Sequence, residues 1–112
     1  MAERRMFAKS VVESARFVRL PPMAQSLYFH LGMNADDDGV VEAFMILGST
    51  RATEEDLKLL AEKGFVTILN DDLVTHITDW TRNNQIRADR YHESAYSNLL
   101  KDANIQTARD EG

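Results

Sequence analysis

Two periods alternate along the chain. Leu57, Leu60, Ala61 and Gly64 recur at i, i+3, i+4 and i+7, so residues 53–63 read as a helix with one stripe facing a core. Thr53 precedes the acidic turn Glu54-Glu55-Asp56, which suits a cap and the positive end of a helix. Lys63 in the last turn and Gly64 just beyond it are stop signals. The pattern then changes to that of a hairpin. Residues 65–69 (Phe-Val-Thr-Ile-Leu) are a strand by composition, Asn70-Asp71-Asp72 a turn, and residues 73–80, ending on Trp80, a second strand.

Upstream, Val11, Val12, Ala15 and Phe17 or Val18 fall near helical spacing, so residues 10–20 are expected to form one helix with Arg16 and Arg19 outward. Pro21-Pro22 ends it, because the residue before a proline avoids the helical basin. Pro22 can open the next helix at its first position. There Met23, Ala24, Leu27, Tyr28 and Leu31 form the buried stripe, Gln25 and Ser26 lie outside, and Gly32 or Asn34 terminates it. Residues 36–39 are a turn, Val40-Val41 a short edge strand, and residues 43–47 a short helix closed by Gly48-Ser49-Thr50. After Trp80 comes the polar, basic stretch 81–91, then a helix over about 93–101 with Ala95, Tyr96, Leu99 and Leu100 on its apolar side. The last ten residues are expected to fray. The element order predicts an α+β, mainly α, fold: a winged helix-turn-helix with a three-helix core and a two- to three-stranded wing sheet, plus helical extensions at both ends. The core spans about 21–80.

At 112 residues the chain is read as one domain. Its 44% apolar and 28% charged residues are those of an ordinary globular protein. No run of apolar residues is long enough for a membrane span, and the N-terminus lacks the apolar core of a signal peptide. The absence of cysteine excludes disulfides and thiolate metal sites and fits a reducing cytoplasm, the expected location. The net charge of −5 argues mildly against nucleic acid, but its distribution matters more. Residues 1–20 hold five basic and two acidic groups, residues 21–80 three and eleven, and residues 81–91 three and one. Two basic stretches therefore flank an acidic middle.

Little in the chain supports catalysis. It has no nucleophile elbow, no phosphate-cradling glycine loop and no placeable nucleophile–base pair, so no enzyme activity and no cofactor are expected. Asn34-x-Asp36-x-Asp38-Gly39 imitates the start of a calcium loop, but the position that should carry a bidentate Glu is Met45. That leaves a solvated turn. His30, His76 and His92 share no ligand spacing, so no metal is expected: His30 reads as a helix-surface group and His76 as a strand residue. Trp80 reads as a core anchor where the hairpin rejoins the body, base stacking being the alternative. The candidate chemistry is nucleic-acid contact. Arg82, Asn84, Arg87, Arg90 and Tyr91, with Asn83, are side chains that contact phosphates or stack on bases. Arg4, Arg5 and Lys9 form a second basic stretch, and Arg51 and Lys58 lie at the helix-turn-helix face. The helix over 53–63 holds the place of a recognition helix, yet its exposed face carries Glu54, Glu55 and Glu62 beside Lys58, and acids there repel phosphates.

The chain resembles the N-terminal winged-helix domain of phage replisome organisers, the DnaD-like replication-initiation proteins of phages and prophages of Gram-positive bacteria. The residues that carry this are Arg4-Arg5-Met6-Phe7, residues 25–33 (Gln-Ser-Leu-Tyr-Phe-His-Leu-Gly-Met) and Ala35-Asp36-Asp37-Asp38-Gly39. Further on come residues 55–60, Lys63-Gly64-Phe65, Trp80, Asn84-x-Ile86-Arg87-x-Asp89-Arg90-Tyr91 and Tyr96. The resemblance implies a protein that binds origin DNA, self-associates as a homo-oligomer and helps recruit host helicase-loading proteins. It gives Arg87, Arg90, Tyr91, Arg4 and Arg5 a DNA-contact or structural role. Members of that family often carry lysines after the Asp-Asp-Asp-Gly turn, where residues 41–47 here have no base. Longer relatives carry a further C-terminal domain, so the resemblance makes this chain a minimal member or a fragment. Two other readings stay open: a protein–protein or oligomerisation adaptor whose acidic face around Glu54, Glu55 and Asp56 docks a basic partner, and a phage transcriptional regulator.

Overall fold

Pro22 occupies the first turn of the longest helix, where its missing N–H costs nothing. In the computed structural model, which describes residues 4–84 and 86–105, the chain is an α+β domain about half helical. Its helices are α1 (Lys9–Val12), α2 (Ala15–Val18), α3 (Pro22–Asn34), α4 (Ala43–Ser49), α5 (Glu54–Glu62), α6 (Trp80–Asn83) and α7 (Ser97–Asp102). Strands β1 (Val40–Glu42), β2 (Val66–Ile68) and β3 (Val74–Ile77) form one antiparallel sheet in the order β1-β3-β2. No described helix is long and apolar enough to cross a membrane.

The single helix expected over 10–20 is two. Ser14 breaks it: its hydroxyl donates to the Val11 carbonyl (2.7 Å) and accepts from the Phe17 N–H (3.2 Å), capping α2. Within α3 the buried stripe is Ala24, Leu27, Tyr28 and Leu31, whereas Met23 is exposed. Gln25 does not stand free; its amide donates to the Val18 and Leu20 carbonyls and ties α2 to α3. Gly32 lies inside the helix rather than ending it. A Cβ there would sit 2.5 Å from the Phe7 ring, so glycine admits the N-terminal segment. The stripe meets Phe17 and Phe65 edge to face, with ring centroids 5.2 Å (Phe17–Tyr28) and 5.4 Å (Phe17–Phe65) apart.

Helix α5 starts with a capping box in which Asp56 plays the usual Glu role: the Thr53 N–H donates to its carboxylate (2.8 Å) and its own N–H donates to Thr53 Oγ1 (3.4 Å). Leu57 and Leu60 are buried, and the chain leaves through Gly64 at φ +84°.

β3 is the central strand. Val41 and Ile68 both oppose Thr75, while Val40 and Thr67 oppose His76. The strand is shorter than expected; it stops at Ile77, and Trp80 opens α6 instead of closing the hairpin. Because successive side chains alternate faces, the sheet presents two apolar sides. Val41, Val66 and Ile77 join the main core with α3 and α5. Val40 and Val74 pack with Leu100 of α7 in a second cluster, beside Leu99 and Tyr96. Helix α7 therefore closes the second face of the sheet. It begins later than expected, and Ala95 lies exposed before it, because residues 91–94 are held elsewhere. The expected tail falls, from residue 106, outside the described residues, as does Gln85.

Candidate nucleic-acid interface

Three consecutive carboxylates organise the surroundings of the basic segments. Asp36 accepts from the Asp38 N–H (2.9 Å) and the Val40 N–H (3.0 Å), shaping a tight turn. Gly39 completes it at φ +81°, and a Cβ there would lie 2.5 Å from the Trp80 ring. Trp80 is a buried anchor whose indole N–H donates to the Asp37 carbonyl (2.9 Å). The turn is not solvated. Asp38 is 4% exposed, and its carboxylate accepts from the Tyr91 hydroxyl, 2.8 and 2.7 Å from its two oxygens, and from the Ser94 N–H (2.9 Å). Asp37 accepts from the His92 N–H (2.9 Å), and Asp36 from the Ser94 hydroxyl (2.6 Å). Each of the six carboxylate oxygens thus has a protein donor. Burial raises the pKa of Asp36, opposed by hydrogen bonds from Ser94, Val40 and Asp38.

A second set of contacts ties the N-terminus to the start of the basic segment. Asn83 Oδ1 accepts from the Ala8 N–H (2.9 Å), while its amide donates to the Tyr28 hydroxyl (2.9 Å). Asn84 Oδ1 accepts from the Met6 N–H (2.8 Å), and its amide donates to the Met6 carbonyl (3.2 Å). The two side chains replace a strand partner for residues 6–8. Arg5 adds a third tie: it donates to the Ala35 carbonyl (2.8 Å) and Asp37 (3.3 Å) and lies 5.1 Å from the Trp80 ring centroid.

These contacts sort the expected site residues. Arg5 takes the structural alternative of its expected role: its side chain is 2% exposed and engaged with Asp37 and the Ala35 carbonyl. Asn84 is buried, and its side chain clamps the Met6 backbone. Tyr91 spends its hydroxyl on Asp38. Arg4, Lys9, Arg82, Arg87 and Arg90 are exposed. Arg82 lies 3.9 Å from Asp79 and Arg87 3.3 Å from Asp89, both exposed-side pairs worth little. Asn84 meets Met6 at one side of the arginine-bearing stretch, and Tyr91 and His92 meet Asp38 and Asp37 at the other, beside the place where Arg5 meets Asp37. The two basic stretches are therefore tied to one another at residues 6–8 and near Asp37. Arg51 and Lys58 are exposed too, but they flank or share α5 with exposed Glu54, Glu55 and Glu62. No family model, curated protein or solved structure matches the chain.

Proposed function

We propose that this chain is a non-enzymatic, DNA-binding winged-helix module of the replisome-organiser kind, acting in replication initiation. Three features support the fold reading: the order α3-β1-α4-α5-β2-β3, a capped α5 leading straight into a hairpin, and a sheet in which β1 pairs with the second hairpin strand. The functional reading rests on one observation. Two asparagines bind residues 6–8 to residues 83 and 84, joining two stretches that carry exposed Arg4, Lys9, Arg82, Arg87 and Arg90, and we assign these five bases to one DNA-facing edge. A row of guanidinium and ammonium groups along one edge suits the phosphates of a duplex. The acidic face of α5 repels phosphate, so the contacts are assigned to this edge and not to a recognition helix in the major groove.

Fluorescence anisotropy with a labelled duplex and a labelled single strand, across a salt series, tests the reading. Binding should weaken with salt. The triple substitution Arg82→Ala, Arg87→Ala, Arg90→Ala should flatten the logarithmic salt slope by about two to three, near one per phosphate contact. Arg51→Ala with Lys58→Ala should change it little. Absent binding at low salt, or a slope untouched by the triple variant, refutes the proposal.

A further inference from the structure

Helix α4 has only seven residues, and the fold buries just Ala43 and Ile46 from it. Its first turn leaves Phe44 67% and Met45 63% exposed. Single exposed apolar side chains are ordinary, but these two are neighbours on the wall of a groove of about 610 Å³ that runs between α4, the start of α5 and the β2–β3 turn. Leu73 also lines the groove; half-buried against the main core, it has the left-handed φ of +64° that any residue with a Cβ pays to adopt. Asn70 holds it there: its side chain accepts from the Asp72 and Val74 N–H groups, and its carbonyl accepts from the Leu73 N–H. The turn thus presents a leucine where glycine would close it more cheaply.

The rim is acidic. Exposed Glu54, Asp71 and Asp72 line the same groove, and the other carboxylate there, Glu42, is taken by the Tyr96 hydroxyl. An apolar floor with a one-sign rim selects its occupant. Nucleic acid is repelled by the carboxylates, and so is an anionic membrane. We infer that this groove docks a short amphipathic segment of another protein, an apolar face flanked by Lys or Arg. Its anchors would cover Phe44 and Met45 while its bases meet Glu54, Asp71 and Asp72. None of the groove's lining residues is among the bases assigned to DNA, so one module can hold DNA and a basic partner through different side chains.

The probe is a labelled helical peptide of leucine and lysine with all leucines on one face. Its controls are a scrambled peptide of the same composition and a leucine–glutamate analogue. Two-dimensional amide NMR of the intact chain should show shifts confined to residues 42–45, 54 and 71–74. The double substitution Phe44→Ser, Met45→Ser should weaken binding at least about tenfold, the loss expected of apolar anchors. Asp71→Lys with Asp72→Lys does so without touching a buried group. Arg87→Ala with Arg90→Ala should leave it unchanged, which separates failure here from failure of the DNA reading. Shifts elsewhere, equal binding of the scrambled or glutamate peptide, or indifference to both groove variants overturns the inference. So does concentration-dependent dimerisation that Phe44→Ser, Met45→Ser abolishes, since the occupant would then be a second copy.

Discussion

Removing the Asp38 carboxylate should loosen the C-terminal third of the fold without touching its main core. Asp38→Ala deletes the acceptor of the Tyr91 hydroxyl and of the Ser94 N–H, and Ser94 is itself buried. Hydrogen bonds to a charged group contribute about 1.5–3 kcal/mol each, and a buried N–H left unpaired costs a comparable amount. Two such bonds set the loss at about 3 kcal/mol. Asp38→Asn can keep its one oxygen where the Tyr91 hydroxyl and the Ser94 N–H converge but loses the charge that strengthens both bonds, so about half that loss is expected. Asp71→Ala, on the exposed hairpin turn, should stay within about 0.5 kcal/mol of the parent chain. Urea unfolding followed by circular dichroism and by the single tryptophan measures all three, because Trp80 packs against the same turn. Hydrogen exchange at the Ser94 amide adds a local readout: protected in the parent chain, it should exchange faster in Asp38→Ala. An Asp38→Ala variant as stable as the parent, or no more destabilised than Asp71→Ala, would show that the carboxylate cluster does not hold residues 91–94 in solution.

Two glycines with almost the same backbone should respond differently to alanine. Gly39→Ala forces both a left-handed alanine and a Cβ 2.5 Å from Trp80, so it should cost several times the roughly 1 kcal/mol of left-handed strain expected for Gly64→Ala. At Gly64 the nearest atom, the far end of Arg16, is 3.4 Å away and can move. Thermal melts of the two variants decide, and equal shifts would refute the packing argument. Stability should also depend on pH through His76. Burial holds its pKa below the ordinary 6.5, against the pull of the Asp38 charge and a hydrogen bond to the Asp38 backbone. The unfolded chain then protonates at higher pH than the folded one, so this contribution is complete above about pH 6.5 and is lost as the pH falls through the folded pKa. His76→Gln should flatten that part of the stability–pH curve, and an unchanged slope would refute the assignment. Asp36 acts in the opposite sense, since its raised pKa lets the folded form keep a proton that the unfolded chain has already lost above pH 3.8.

How far the sequence carries depends on the range of the interaction. Pro22, the Thr53 cap with its acidic turn, and Gly64 are local signals, and α3 and α5 lie where those signals put them. Ser14 is also a local signal, but it sits within an apolar spacing that reads as continuous, and cap and period compete at that point. Asn83 and Asn84 could not be sorted from neighbouring arginines, because polar composition is the same whether an amide faces solvent or a backbone some 75 residues away. The same holds for Arg5 and for the three aspartates, whose partners come from opposite ends of the chain. Phe44 and Met45 were legible in principle: a helix of two turns buries one narrow stripe, so Ala43 and Ile46 inside put their neighbours outside.

Net charge is a poor guide to the partners of this chain because folding redistributes it. Residues 21–80 carry eleven acids against three bases, which read along the sequence argues against nucleic acid. Three of those acids, Asp36, Asp37 and Asp38, turn inward and are bonded to Arg5, Tyr91, His92 and Ser94. Their role is mechanical: they pin the far end of the arginine-bearing stretch, at residues 91–94, and hold Arg5 of the N-terminal segment. Glu54, Asp71 and Asp72 line a groove bounded by α4 and the hairpin turn, whereas residues 6–8, which meet Asn83 and Asn84, are flanked in sequence by the exposed bases Arg4 and Lys9, and Asn83 by Arg82. At physiological salt the field of an exposed charge fades over about 8 Å, and the molecule measures 37 × 31 × 25 Å, so surfaces farther apart than that act independently on what approaches them. A binding edge for polyanions and a docking groove for a basic segment are therefore compatible in one small domain of net charge −5. It follows that raising salt should weaken both interactions, whereas reversing Asp71 and Asp72 to lysine should weaken peptide binding at least about tenfold and leave the salt slope for DNA unchanged.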